Sequence, residues 1–314
     1  MYSEFEVIKH PVMRHINIFL VSMEFRTSHM HREFEVDFLL EGGLEVVQNN
    51  RKYTADSGEI ILFNSNQPHE LKSTGKNTLI LCLQVSPKAW SEIFPTITNL
   101  VFDDNRVTEH LSDFEFTMLK ELFTELAHDY YNSNSDSMFR CLGLLNSLFA
   151  IISRLPHHYL SSDEKAREKQ KVERLNRILS YADENYMYNI RLGDLAEREG
   201  LTLSYLSHFF KENLNQSFQQ HITSLRLNRA KQLVMAGNNK LLDICLECGF
   251  SDYRYLLKAF QQAYGCAPNE FRTLHLDTVE PTPDGKKTLE YIFSDFRSRD
   301  MVTDLRNKFI AGAL

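Results

Sequence analysis

Two periodicities divide the chain. Up to about residue 87 the apolar positions come in short runs at 16–18, 34–40, 44–47, 59–63 and 78–83, rich in β-branched and aromatic residues. Turn signals at Gly42-Gly43, Asn49-Asn50, Ser57-Gly58, Gln67-Pro68 and Gly75 separate them. Short strands punctuated this regularly predict a small barrel or jelly roll. Beyond residue 110 the period becomes helical. Leu111, Phe114, Met118, Leu119, Leu122, Phe123 and Leu126 mark one helix and residues 138–155 a second, with the polar stretch 132–135 between them. That pattern predicts an antiparallel hairpin packed on the barrel. The second helix is apolar around more of its circumference than one barrel face would bury, so a subunit interface and plain core packing both stand. Pro156 ends it, and the charged stretch 161–171 reads as an interdomain linker.

Residues 190–272 carry the strongest pattern, two helix-turn-helix units in tandem. In the first, Leu192, Leu195 and Ala196 form the apolar face of a short helix, Gly200 stops it, Thr202 is placed to cap the next helix, and residues 203–213 form that helix. Its inward positions are Leu206, Phe209 and Phe210, which leaves Ser204, Ser207, His208 and Lys211 pointing outward. The second unit repeats the plan: a helix at 241–248, a turn at Gly249-Phe250-Ser251, and a helix capped by Asp252 that runs to about Tyr264. Leu256, Ala259, Phe260 and Ala263 are its expected apolar face, and Arg254, Leu257, Lys258 and Gln261 point away. Between the units, Phe218, Ile222, Leu225, Leu227, Ala230 and Leu233 have the spacing of one rigid helix. Two recognition helices held apart in this way suit two successive major-groove segments of DNA, so the eight outward residues are the candidate DNA contacts.

These residues resemble the AraC-type bacterial transcription regulators. The resemblance runs through 192–196, Tyr205-Leu206-Ser207, Phe210-Lys211, Arg226-Leu227, Ala230, Gly249-Phe250-Ser251-Asp252, Gly265, Pro268 and Arg272, about a third of the chain. Four positions depart from it: Asn215 replaces a usual Gly, His208 an Arg, Leu256 an aromatic and Gln261 a Lys. The lost positive charge weakens the expected non-specific hold on phosphates.

Charge partitions along the chain. Residues 1–170 hold 16 basic against 24 acidic side chains, a net −8; residues 171–273 hold 13 against 11, a net +2; residues 274–314 hold 6 against 7, a net −1. Only the helical segment is net basic, although the whole chain carries −7. An excess so slight predicts modest affinity per module and a need for dimerisation. No run is long and apolar enough to span a membrane, and the N-terminus lacks a signal-peptide pattern, so the expected location is cytoplasmic. Five scattered cysteines suit reduced core thiols. Cys245 and Cys248 form a C-x-x-C on one helix with no second pair nearby, which favours packing over zinc or redox chemistry.

A second signal lies inside the strand region: His29-x-His31-x-x-x-Glu35, then Gly42, Gly58 and His69. It is similar to the two motifs of cupins, whose barrel mouth holds a divalent metal on two His, a Glu and a third His. Imidazole and carboxylate suit Fe, Mn, Ni or Zn, and His29 and His31 are expected on one strand face. Met23, Asn64 and Asn66 stand where cupins usually carry Gly, Pro and Gly. Three roles remain open for the four residues: hydrogen-bonding groups for a sugar or other small effector, as in AraC-type sensors; ligands of a bound metal; or structural residues within the barrel.

The expected architecture is α+β. A cupin-like β-barrel with a helical hairpin (1–160) senses an effector and dimerises, a linker (161–171) follows, an all-α domain with two helix-turn-helix units (172–275) binds DNA, and an extension (276–314) ends the chain. In that tail, residues 280–285 are turn-rich, and Leu289, Tyr291, Ile292, Phe293 and Phe296 suggest an amphipathic helix packed on the DNA-binding domain. The expected function is that of a transcription regulator, by resemblance an activator answering to a sugar or related carbon source. Its expected partners are double-stranded DNA, the effector, a second copy of the chain and RNA polymerase. No cofactor is demanded. The alternative is a metal-dependent cupin enzyme or a metal-sensing regulator, with His29, His31, Glu35 and His69 as ligands; the attached DNA-binding half speaks against an enzyme.

Overall fold

The computed structural model describes the chain apart from residues 1–3, 7, 49–50, 76, 133–134, 215, 237–239, 275–288, 294 and 312–314. It forms two compact units, one built mainly on residues 6–170 together with Leu289–Leu314, the other mainly on Lys171–Thr288.

The first unit is an antiparallel sheet of β1 (Glu4–Phe5), β2 (Ile16–Met30), β3 (Phe34–Glu41), β4 (Gly43–Gln48), β5 (Arg51–Asp56), β6 (Ile60–Phe63), β7 (His69–Ser73) and β8 (Thr78–Val85). A small second sheet pairs β9 (Leu100–Phe102) with β10 (His157–Tyr159). The main sheet runs in the order β5-β4-β7-β2-β8-β3-β6, with β1 and a late strand, β11 (Leu289–Ile292), added to β2. Its inward side chains explain its closure. Val21, Leu39, Leu44, Val46, Ala55, Phe63, Leu71 and Ile80 come from strands across the whole order, β5 at one end and β6 at the other, yet pack in one cluster. A sheet whose far strands share an apolar core has rolled into a nearly closed barrel.

The opposite face of β2, β3, β6 and β8 is apolar too. Ile18, Leu20, Phe34, Val36, Phe38, Leu62, Leu81 and Leu83 pack there against α1 (Asp113–Tyr131) and α2 (Ser135–Ile152). Ser112 opens α1 with a reciprocal cap to Glu115. The expected hairpin therefore lies on the barrel. α2 buries Cys141, Leu145, Leu148, Phe149 and Ile152 but leaves Met138, Phe139 and Leu142 exposed, Phe139 by 80%.

In the second unit, α3 (Ser162–Asn185) is followed by α4 (Leu192–Arg198), α5 (Leu203–Leu214), α6 (Phe218–Ala236), α7 (Leu241–Glu247), α8 (Tyr253–Tyr264) and α9 (Pro268–Leu274). The stretch 161–171, read as the interdomain linker, is helical and forms the start of α3: its Glu, Lys, Arg and Ala are good helix formers, and Ser161 caps reciprocally with Glu164. One expectation needs correction. The run 289–292 does not open a helix on the DNA-binding domain. Residues 289–292 instead form β11 beside β2, and α10 (Asp295–Ile310) packs on α1 within the barrel unit, where Arg299 donates to the Tyr131 carbonyl and Arg306 to Glu125. The turn-rich stretch 280–285 lies outside the described residues.

Candidate effector pocket and DNA interface

Within the barrel the four sequence-predicted side chains converge. Ligand-capable atoms of His29, His31, Glu35 and His69 all lie within 4.8 Å of one another, and every one of these residues is buried. They arrive by different routes: His29 is the penultimate residue of β2, Glu35 faces inward from β3, and His69 opens β7 with its ring stacked on Phe63 at 4.0 Å. His31 directly follows the last residue of β2, and its ring meets that of His29 in the same cluster.

Hydrogen bonding fixes both rings. His31 turns Nδ1 to the Glu33 carbonyl at 3.2 Å and Nε2 to Glu35 Oε2 at 2.8 Å. His69 turns Nδ1 to the Gln67 carbonyl at 2.9 Å, with Nε2 3.4 Å from Glu35 Oε1. Burial alone would lower the His31 pKa, but the charge and hydrogen bond of Glu35 outweigh it and raise the value. For Glu35, burial pushes up while the charge and hydrogen bond of His31, then His69, pull its carboxyl well below the usual range. Glu35 Oε2 also accepts from Gln84 Nε2 at 2.7 Å, and Asn17 Nδ2 donates to Gln84 Oε1 at 3.0 Å. Sequence inspection missed Asn17 and Gln84, because a lone polar residue in a strand looks like an outward one.

The DNA-reading candidates lie on α5 and α8. Thr202 accepts the Tyr205 N–H at 3.2 Å and starts α5, which buries Leu206, Phe209 and Phe210 and exposes Ser204, Ser207, His208 and Lys211. Asp252 caps α8 by accepting the Arg254 N–H at 2.7 Å, and its carboxylate also holds the guanidinium at 2.8 Å. Arg254, Lys258 and Gln261 are exposed as expected, whereas Leu257 is half-buried. Ala263, expected on the inner face, is exposed, because Tyr264 takes the inward place with its ring 4.6 Å from Phe260. Leu203, Tyr205 and Tyr255 also stand exposed on the two helices, and sequence inspection had not named them as DNA contacts.

The spacer α6 touches both recognition helices. Phe210 of α5 packs on Phe218 at 5.5 Å between ring centres, while Leu227, Ala230 and Val234 share a core with Leu256 and Phe260 of α8. Arg226 of α6 donates to the carbonyls of Tyr186 and Tyr188 at 2.7 and 2.9 Å, which ties down the chain after α3. Cys245 and Cys248 are buried in that same core. Burial pushes the Cys248 thiol up to about 12, which makes it a poor thiolate.

Comparison with known proteins agrees with both halves. A helix-turn-helix domain model matches residues 195–273, and a cupin domain model matches residues 23–85. The melibiose operon regulatory protein of Escherichia coli strain K12 is 25% identical over 271 residues, covering 81% of this chain and 88% of that protein. Both halves of the chain are similar to the AraC-type regulators. Similar too are the HTH-type transcriptional activators RhaR of Mannheimia succiniciproducens, 20% identical over 246 residues, and RhaS of Pectobacterium atrosepticum, 23% identical over 245 residues. Each of those alignments covers 78% of this chain and 86% of the relative. With these domains and relatives, the chain is a DNA-binding transcription regulator rather than an enzyme. Among the described residues, no helix is long and apolar enough to cross a membrane.

Proposed function

We propose that this regulator is a cytoplasmic transcription activator that binds a sugar inside its barrel and, as a homodimer, recruits RNA polymerase to the promoter it occupies. The observation that carries the effector site is the convergence of His29, His31, Glu35 and His69 within 4.8 Å inside a barrel attached to a DNA-binding unit. Carboxylate and imidazole are the groups that grip hydroxyls, and the named melibiose regulator makes a sugar the leading class. A ligand reaching groups so deeply buried must lie within the barrel, where it can favour one arrangement of the chain over another only through differential affinity. For dimerisation, the exposed Phe139 and Leu142 of α2 supply an apolar face. Ser204, Ser207, His208 and Lys211 meet one groove segment, and Arg254, Leu257, Lys258 and Gln261 the next.

The test is a DNA-shift titration with melibiose and other neutral sugars. His31→Ala or Glu35→Ala is expected to abolish the sugar response while DNA binding persists; an unaltered response in both variants overturns the site.

A second reading is favoured by the ring orientations. His31 and His69 each direct Nδ1 to a backbone carbonyl and leave Nε2 on the Glu35 side, the arrangement that orients imidazoles as metal ligands. The donor set fits a divalent metal, which would act there as a Lewis acid or as a reporter of metal supply. Metal analysis of purified protein decides between the readings, since a stoichiometric ion would displace the sugar reading of these four residues.

A further inference from the structure

We infer that Gln48 and Tyr53 are two further effector-binding residues of the barrel, and that they grip acceptor oxygens of a neutral polyhydroxylated ligand. This rests on the barrel being the effector site, as proposed above.

Both residues face the inside of the barrel. Gln48 closes β4 directly opposite His69 of β7, and it shares the strand face of Leu44 and Val46, which belong to the interior core. Tyr53 of β5 stands opposite Val46 and packs against that core, so it lies diagonally across from Gln48. Gln48 is 3% exposed. Its amide Nε2 and the phenolic oxygen of Tyr53 are fully buried, yet neither has a hydrogen-bond partner among the described residues. Buried donors are almost always paired, and an unpaired one costs stability, so these two, Gln48 opposite His69 and Tyr53 one residue pair further along the same interior face, call for a partner that is not part of the chain.

The chemistry of the surroundings narrows that partner. Asp37 and Glu35 face the same interior from β3, opposite Cys82 and Gln84 of β8. Carboxylates accept and repel anions, whereas Gln48 Nε2 and a protonated Tyr53 donate. Hydroxyl groups satisfy both sets, because each one accepts and donates. A sugar with hydroxyls on opposite edges fits, with one edge on Gln48 and Tyr53 and the other on the His/Glu cluster. A carboxylate or phosphate ligand does not.

The experiment uses the full chain with Tyr53→Phe and Gln48→Met, which remove the polar atoms and keep the volume. Thermal unfolding without sugar and calorimetric titration with a panel of neutral mono- and disaccharides that includes melibiose are both recorded. The expected result has two parts: sugar-free Tm is unchanged or raised, because an unmet donor has been removed, and affinity for the bound sugar falls about tenfold in each variant. A lowered sugar-free Tm with unchanged affinity assigns the two residues to structure and overturns the inference. If Glu35→Gln loses sugar binding while both variants keep it, the inference fails and the effector site stands. No saturable binding of any sugar by the unaltered chain overturns both.

Discussion

Gly249 sits so close to Met187 that a Cβ added to it would stand 2.3 Å from the Met187 carbonyl oxygen. The glycine also adopts φ +78°, where other L-residues are strained. The turn of the second helix-turn-helix unit is thereby pressed against the backbone that follows α3, which Arg226 also holds through the Tyr186 and Tyr188 carbonyls. Gly249→Ala is expected to destabilise the helical unit by at least about 2 kcal/mol and to weaken DNA binding through the second recognition helix. Denaturant unfolding beside a DNA-shift assay checks this; a neutral substitution would show that the contact relaxes without cost.

Glu70 supplies a pH test. Burial, aided by the Glu45 carboxylate, raises its pKa from 4.5 to about 7. A carboxyl whose folded value is raised holds its proton after the unfolded chain has lost it, so stability falls as pH climbs from about 4.5 to 7 and stays reduced above. Glu70→Gln is expected to stabilise the protein at pH 8 by on the order of 2 kcal/mol and to have little effect near pH 4.5. Equal effects at both pH values would assign the gain to packing instead.

The exposed apolar face of α2 predicts self-association. Phe139 is 80% exposed beside Leu142, and Phe139→Glu is expected to shift the proposed dimer toward monomer in analytical ultracentrifugation while the fold persists, because the residue packs in no core. A sedimentation coefficient unchanged by the substitution would move the interface elsewhere.

Charge on the DNA-binding segment is only +2 net, and Asp252 neutralises Arg254 in place. The dependence of log affinity on log salt is accordingly expected to be shallow. Lys211→Ala should weaken binding about equally on all sequences and reduce the slope by roughly one. A slope that stays the same would remove Lys211 from the phosphate contacts.

Much of this was legible in the residues themselves. The recognition helices declared their limits because Thr202 and Asp252 are side-chain caps and Gly200, Gly249 and Gly265 are turn formers, all of which act locally. The four-residue cluster was legible from its similarity to the cupin motifs, spacing by itself joining only His29 and His31. What escaped depends on pairing between distant segments. β5 and β7, reading RKYTAD and HELKS, look like loops until β4 lies between them. The run at 289–292 suits either period, and only its place beside β2 makes it a strand. Gln48 and Gln84 join the interior because the sheet register sets them opposite His69 and Glu35. The helix at 162–171 escaped for the opposite reason, since it is held by propensity and a cap and has no apolar stripe.

The account stands on two recognition helices reading DNA together, and a footprint of the full chain on its own promoter tests that most directly. Each protomer should protect two major-groove segments about one helical turn, roughly 34 Å, apart. His208→Ala should relax base preference in one segment and Lys258→Ala in the other. Protection confined to a single groove segment, or both variants altering the same one, would contradict the tandem arrangement.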